Sequence, residues 1–218
     1  MKIVYPECTW SVKTSEKVLF LTFDDGPHPF ATSFVLEQLI KYNGRGTFFC
    51  IGKNVEQNFK IYSSVIEAGH SVGNHTYDHL NGWKTSDKKY LENIFKAKQI
   101  IDSNLFRPPY GRITKFQLAQ LSADKYKMKT IMWSVLSGDF DSKLSPEICF
   151  LNVVRNAKPG SIIVFHDSEK VMKNYVSFYR ACWSIFLKED LSLKKFSRKN
   201  IFKKKFNKWA GVDTLARF

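Results

Sequence analysis

The chain is poor in cysteine and has no closely spaced pair. Cys8, Cys50, Cys149 and Cys182 are its only four in 218 residues, far apart and without a C-x-x-C spacing. That argues against a zinc knuckle or a dense disulfide frame and leaves reduced, buried thiols as the reading. Long apolar runs are missing too. The opening "MKIVYPECTWSVK" has no apolar stretch of the roughly 7–15 residues typical of a secretion signal. Nor does any run approach the roughly 18 residues of a membrane span. A cytoplasmic chain is the expectation, or an extracytoplasmic one if a signal lies upstream. Internal repeats are absent, as is any flexible linker before about residue 190.

Acidic residues are scarce, with 20 Asp and Glu against 34 Lys and Arg and a formal net charge of +14. Such an excess suits an anionic partner: nucleic acid, a membrane surface or a cell-wall polymer. Half of it is local, however. Lys188 to Lys208 carries nine Lys or Arg against Glu189 and Asp190, a net +7. Outside that stretch no nucleic-acid-reading motif is present, so no specific nucleic-acid partner is expected.

What is present is a core. Apolar residues make up 44% of the chain and aromatics 15%, enough for one globular domain of this length. Short apolar runs are predicted strands at 18–23, 46–51, 70–75, 105–109, 129–135 and 161–166, with "LSLKKF" as a candidate last strand. Segments of helical period are predicted between them at 31–42, 54–68, 86–103, 114–125, 146–157 and 169–187. This alternation predicts repeated βα units and a parallel sheet or barrel.

The polar residues fall at one end of these units. Asp24 and Asp25, His75, Arg107, Asp139 and His166 all lie at or just beyond the C-terminal ends of candidate strands. In a parallel barrel those ends meet at one mouth, where such folds keep their chemistry. Adjacent carboxylates behind the apolar run "VLFLTF" require a compensating partner, because charge beside a core is costly when unpaired.

Three further motifs supply partners. "HTYDH" sets His75 and His79 four residues apart, close enough to turn both imidazoles to one side. By itself that spacing is as compatible with surface or core histidines as with metal ligands. A strand-end carboxylate added to the pair makes an Asp-His-His set, which leaves coordination positions open, as catalytic zinc requires. "RPPYG" stiffens its backbone with two prolines and fixes Arg107 and the Tyr110 amide, or is simply a rigid turn with an exposed arginine. "IVFHD" ends an apolar strand in His166, a catalytic group or a hydrogen-bonded histidine at a buried strand end.

Taken in order, "TFDDGP", "HTYDH", "RPPYG", a Trp-containing strand ending in an aspartate, and "IVFH" resemble the NodB-type polysaccharide deacetylases, carbohydrate esterase family four. The resemblance covers about residues 15–170. It implies an α/β fold, a distorted (β/α)7-type barrel in a single domain, and metal-dependent removal of acetyl groups from N-acetylglucosamine polymers or acetylated sugars. On this reading residues 1–14 are an N-terminal extension, 15–190 the NodB homology domain and 191–218 a basic tail. Carried over by position, Asp25, His75 and His79 would hold one divalent metal ion, zinc first, with cobalt, nickel or manganese as alternatives. Asp24 would be the general base, Arg107 its orienting cation and His166 the general acid. The Tyr110 N–H would bind the oxyanion, with Pro108 beside it.

The fourth family motif usually reads Asp-x-x-Asp-Trp. Here "LSGDF" puts Leu136 at the first aspartate and Phe140 at the tryptophan, while Asp139 remains. Asp139 would tune His166 or pair with Arg107, and Phe140 would wall an acetyl methyl group. The expected partner is an acetylated glycan, the expected state a monomer. The basic aromatic tail would be a solvated appendage or a weak attachment to an anionic polymer or membrane surface. An O-acetyl esterase and a non-catalytic carbohydrate binder are the alternative functions.

Overall fold

The computed structural model describes residues 3–123, 125–168, 171, 181–182, 184–185 and 191–196. The expected helix over 169–187 therefore lies largely outside the described residues, as does the basic run after Phe196. No described helix is long and apolar enough to cross a membrane.

The sheet grows outward from β1 (Val18–Asp24), all seven of whose residues are buried. A strand covered on both faces reads as a continuous apolar run, and "VLFLTF" is one. β1 pairs in parallel with β2 (Gly46–Cys50) on one side and β7 (Ile162–His166) on the other. β3 (Ser71–Asn74), β4 (Leu105–Phe106) and β5 (Lys129–Thr130) extend the β2 side, while β6 (Val135–Leu136) flanks β7. The order is β5-β4-β3-β2-β1-β7-β6, and β8 (Ser192–Leu193) pairs with β1 off that path. This curled parallel sheet with helices around it is the distorted (β/α)7 barrel expected.

Helices α1 (Ala31–Lys41), α2 (Gly52–Gln57), α3 (Phe59–Glu67), α4 (Asp87–Lys98), α5 (Lys115–Ser122) and α6 (Pro146–Val154) connect the strands. Their apolar faces cover the sheet: Val35, Leu36 and Leu39 of α1, Val65 of α3 and Val153 of α6 share one core with Phe23, Phe48 and Phe165. Phe23 stacks on Phe48 at 4.9 Å and on Phe165 at 5.8 Å between ring centroids. Full burial of one such side chain is worth about 1.5–3 kcal/mol. All four cysteines are free and buried.

Four expectations about segments need correction. The expected strand 129–135 is two short strands, because the carbonyls of Ile131 and Met132 accept from the Arg107 guanidinium (3.1 Å each) and leave the ladder. The expected helix 54–68 is two helices broken at Asn58 (φ −129°, ψ 44°), whose side chain donates to the Pro27 and Asn54 carbonyls. Residues 1–14 are not a mere extension where they are described. Tyr5 and Cys8 enter a core cluster, and Thr9 and Ser11 bridge to Ile131 and Ser161, satisfying backbone groups on both sides of the gap between β5 and β7. Finally, the fold runs past the domain end set at 190 and through the candidate last strand "LSLKKF", of which Ser192–Leu193 forms β8. Leu193 pairs with Leu19, and Phe196 stacks on Phe20 at 5.1 Å, so apolar side chains inside the supposed tail cover the lower end of β1.

Candidate metal and catalytic site

Asp24 ends β1 and Asp25 begins the loop, and the chain turns sharply between them: Asp25 has φ 82°. Successive side chains on a strand already point apart, and this turn carries the second carboxylate to a different neighbourhood. Asp24 goes to Arg107, whose Nη1 donates to its Oδ1 at 2.7 Å. Asp25 goes to the histidines, its Oδ1 lying 3.2 Å from Nε2 of His79 and 3.7 Å from Nε2 of His75.

Arg107 is fully buried, which is costly for a cation unless every donor is met. Its Nη1 also donates to Thr22 Oγ1 at 2.7 Å, Nε and Nη2 reach the two carbonyls given above, and the guanidinium lies 4.1 Å over the Phe49 ring. Burial pulls its pKa down, and the Asp24 carboxylate opposes that pull. The side chain is a fixed strut across the barrel, from β4 to β1.

His75 follows β3 and sits against Arg107 by another contact, Nδ1 to the Arg107 carbonyl at 2.8 Å. A carbonyl can only accept, so Nδ1 carries the proton and the Nε2 lone pair faces Asp25. Burial pushes the pKa of this imidazole down to about 4. Burial also works against ionisation of Asp25, but the His79 contact and the nearby histidine charges outweigh it and hold the carboxyl below the usual carboxylate range. Even so, Asp25 Oδ1 is buried and accepts no hydrogen bond of good geometry. An orphaned carboxylate oxygen facing two imidazole nitrogens, with one ligand atom from each residue within 4.8 Å of the others, fits a cation better than a proton.

The opposite wall is His166. It is the register partner of Asp24 across β1 and β7 and is gripped twice by Asp139: Oδ1 lies 2.7 Å from the ring Nδ1, and Oδ2 accepts the backbone N–H at 2.9 Å. Burial alone would lower its pKa; the Asp139 charge and hydrogen bond, helped by Asp25 and Asp24, raise it to about 9. Of the two partners the sequence left open for Asp139, the structure selects His166. The Phe140 ring meets the His166 ring edge-on at 5.3 Å. Tyr110 lies in a 3-10 turn (Pro109–Gly111) at φ 59°, exposed, its ring 4.7 Å from that of His79, and Pro108 is buried. All ten sequence-expected residues thus gather at the C-terminal mouth of the sheet.

Backbone strain marks the same place. Among the described residues six non-glycines have positive φ, and four of them, Asp25, Thr76, His79 and Tyr110, belong to the site. Such conformers cost on the order of 1–3 kcal/mol each and persist only where their surroundings enforce them.

Two enforcing residues were not singled out from sequence. Asn93 of α4 accepts the N–H groups of Tyr77 and Asp78 (2.8 and 3.0 Å) through Oδ1 and donates to Asp78 Oδ2 at 2.7 Å, clamping the turn between the histidines. No spacing in the sequence signals it. Asp167 accepts from the Gly26 N–H at 3.1 Å and from the Thr32 hydroxyl, anchoring the loop after Asp25. Any side chain at Gly26 would collide with that carboxyl. Burial pushes the Asp167 pKa up to about 8 despite both hydrogen bonds. Its position, one residue past a buried strand like Asp25, was a readable signal.

A parallel barrel with a split carboxylate pair, an Asp-His-His cluster and a carboxylate-held histidine at its mouth has the architecture of the NodB-type carbohydrate esterases. The chain belongs to the polysaccharide deacetylase family, whose model matches residues 11–129. It is 36% identical over 165 residues to a peptidoglycan-N-acetylglucosamine deacetylase of Bacillus cereus, covering 73% of this chain and 76% of that protein. It is 32% identical to a chitooligosaccharide deacetylase of Azorhizobium caulinodans, covering 72% and 76%. Among solved structures, the Bc1960 peptidoglycan N-acetylglucosamine deacetylase superposes with a TM-score of 0.83 at 27% identity, covering 91% of this chain and 94% of that one.

Proposed function

We propose that the protein is a metal-dependent hydrolase that removes N-acetyl groups from an N-acetylglucosamine-containing glycan, releasing acetate and a free amine. The observation that carries this reading is the divergence of the two adjacent carboxylates, Asp24 to a buried guanidinium and Asp25 to two histidines.

Asp25, His75 and His79 would hold the ion. A divalent cation, zinc in the first place, supplies Lewis acidity, polarising the acetyl carbonyl and lowering the pKa of a bound water from about 15.7 to about 7. The residues of the chain do the rest. Arg107 occupies Oδ1 of Asp24 and keeps the carboxylate ionised and oriented, so Oδ2 takes the proton of the attacking water. The N–H of Tyr110 donates to the oxyanion that develops on the acetyl oxygen, a contact worth roughly 10²–10³ in rate where such donors have been removed. His166, with Nδ1 committed to Asp139, gives its Nε2 proton to the departing nitrogen as the C–N bond breaks. Phe140 beside it offers the apolar wall for the acetyl methyl group. No nucleophilic serine or cysteine takes part.

Peptidoglycan is the leading substrate, since the Bacillus cereus relative bears that specificity in its name and is the more similar of the two. The test is acetate release from a chitin tetramer and from purified peptidoglycan, before and after chelation and after zinc is restored. Release that disappears with chelator and returns with zinc supports the reading. A metal-loaded protein that frees acetate from neither glycan overturns it, and release confined to O-acetylated sugars makes it an esterase.

A further inference from the structure

We propose that Arg112 and Trp83 form an anion-reading subsite beside the cleft, in which a guanidinium held on an indole face pairs with a carboxylate carried by the glycan. This rests on the glycan-deacetylase reading and adds to it the residues by which the cleft would tell a carboxylate-bearing amino-sugar strand from a neutral one.

The placement follows from the site. Trp83 lies four residues past His79 and Arg112 two residues past Tyr110, and the His79 and Tyr110 rings are 4.7 Å apart. The two segments that form the metal-side rim therefore also carry this pair, beyond the reacting centre. Trp83 is half exposed, and its ring orientation is fixed because Nε1 donates to the Ile113 carbonyl at 2.9 Å. The Arg112 guanidinium carbon lies 4.1 Å over that ring.

The segments are fastened to each other. Gln117 Nε2 donates to the Gly82 carbonyl at 3.0 Å, and Tyr90 donates to the Arg112 carbonyl at 3.5 Å. Gly82 is a close approach that no other residue permits, because a Cβ there would stand 2.5 Å from the Arg112 carbonyl oxygen and 2.7 Å from Gln117 Oε1. Neither the ring nor the guanidinium has to be gathered from a mobile loop before binding, which removes an entropic cost that arginine ordinarily carries.

Apart from the Trp83 ring, the Arg112 charge meets nothing that neutralises it among the described residues. Among the described residues no carboxylate pairs with Arg112, unlike Arg107 with Asp24 and Lys194 with Glu16. A planar guanidinium presents a fork of donors that matches a carboxylate, and stacking on an indole face leaves the edge of that fork open to one. Amino-sugar strands carry carboxylates either on a lactyl ether of the sugar or on an attached peptide, and either would meet this fork.

The test uses the full chain, zinc-loaded, as wild type, Arg112→Gln and Arg112→Lys. Three substrates are compared: a neutral N-acetylglucosamine tetramer, peptide-free glycan strands with lactyl carboxylates, and peptide-bearing strands. Melting curves establish that the variants fold. We expect Arg112→Gln to lower the ratio of kcat/KM on carboxylate strands to kcat/KM on the tetramer by about fivefold or more, mainly through KM. Added salt should lower this ratio in wild type and leave it flat in the variant. Arg112→Lys, which keeps the charge and loses the fork, should fall between. A drop confined to peptide-free strands assigns the lactyl group, and one confined to peptide-bearing strands assigns the peptide.

Binding of the same three glycans is also measured by calorimetry with Asp24→Asn, alone and combined with Arg112→Gln. Failure of every substrate to turn over would sink the deacetylase reading, while the affinities would still judge the subsite. Equal discrimination and equal salt response in wild type and a folded Arg112→Gln protein, in turnover or in binding, would overturn the proposal.

Discussion

Asp139 holds His166 by two atoms at once, Oδ1 at 2.7 Å from the imidazole Nδ1 and Oδ2 at 2.9 Å from the same residue's backbone nitrogen. The backbone bond fixes the carboxylate at the strand end, and the carboxylate so fixed holds the ring by Nδ1. That arrangement keeps a proton on Nδ1, leaves Nε2 free of Asp139 and favours the charged form of the ring.

The first prediction follows from the raised pKa of His166, about 9. A general acid works while it is protonated, so the alkaline fall in kcat should lie above the ordinary histidine value of about 6.5. In Asp139→Asn the raising charge is gone while burial still lowers, so that limb should move to lower pH by at least about one unit and peak turnover should fall. A pH profile of kcat for the two proteins checks this, and coincident alkaline limbs would remove Asp139 from the tuning of the acid.

The two adjacent aspartates should fail differently. Asp24→Asn keeps size and the Arg107 contact but cannot take a proton, so the metal should stay and kcat should drop by about 10²-fold or more. Asp25→Asn replaces an ionised ligand by a neutral amide, so metal affinity should fall first. Metal content after dialysis, set beside kcat, separates the two. Equal metal loss in both variants would refute the division of labour.

Asn93 touches no ligand atom, yet it pins the turn between His75 and His79. Asn93→Ala should weaken metal affinity by about 10- to 100-fold, the usual cost of removing an outer support. Titration of the metal-free protein with zinc or cobalt reads this without any substrate. His75→Ala and His79→Ala should abolish stoichiometric binding outright, and a folded Asn93→Ala with wild-type affinity would show that the strained turn stands without its clamp.

Truncation should locate the end of the fold. Ending the chain after Phe196 removes seven basic residues and one acidic residue but keeps β8 and the Phe20–Phe196 stack, so melting and turnover on a small oligomer should change little. Binding to anionic cell wall at low salt should weaken. Ending it at Asp190 also uncovers β1 and should lower the melting temperature by several degrees, which thermal denaturation of both forms measures.

The βα alternation, most of the strands and the gathering of polar residues at one mouth were legible in the sequence, because each depends on local pattern: apolar runs such as "VLFLTF" and polar residues where those runs stop. Where an element depends on a side chain arriving from elsewhere, the pattern misleads. Thus 129–135 read as one strand because its composition cannot reveal that Arg107, more than twenty residues earlier, accounts for two of its carbonyls. Tyr5 read as part of a loose end for the same reason, and Phe196, though inside the candidate strand "LSLKKF", fell in the segment assigned to the tail. Their cover lies across the fold, and short flanking segments have too little periodicity to announce it.

At the site itself, the sequence determined which chemical groups are available and that they share one mouth. The tertiary structure decided the pairings. Asp139 could have met Arg107 or His166, and Asp24 and Asp25 are equivalent as letters, told apart in the sequence only by the family resemblance. They became different residues when the buried guanidinium of Arg107 took one carboxylate, Asp139 was left for His166, and a left-handed turn at Asp25 carried the other carboxylate to His75 and His79. A charge in a core has to be met by a particular partner at about 3 Å, and that distance is a property of the folded chain and not of any spacing along it.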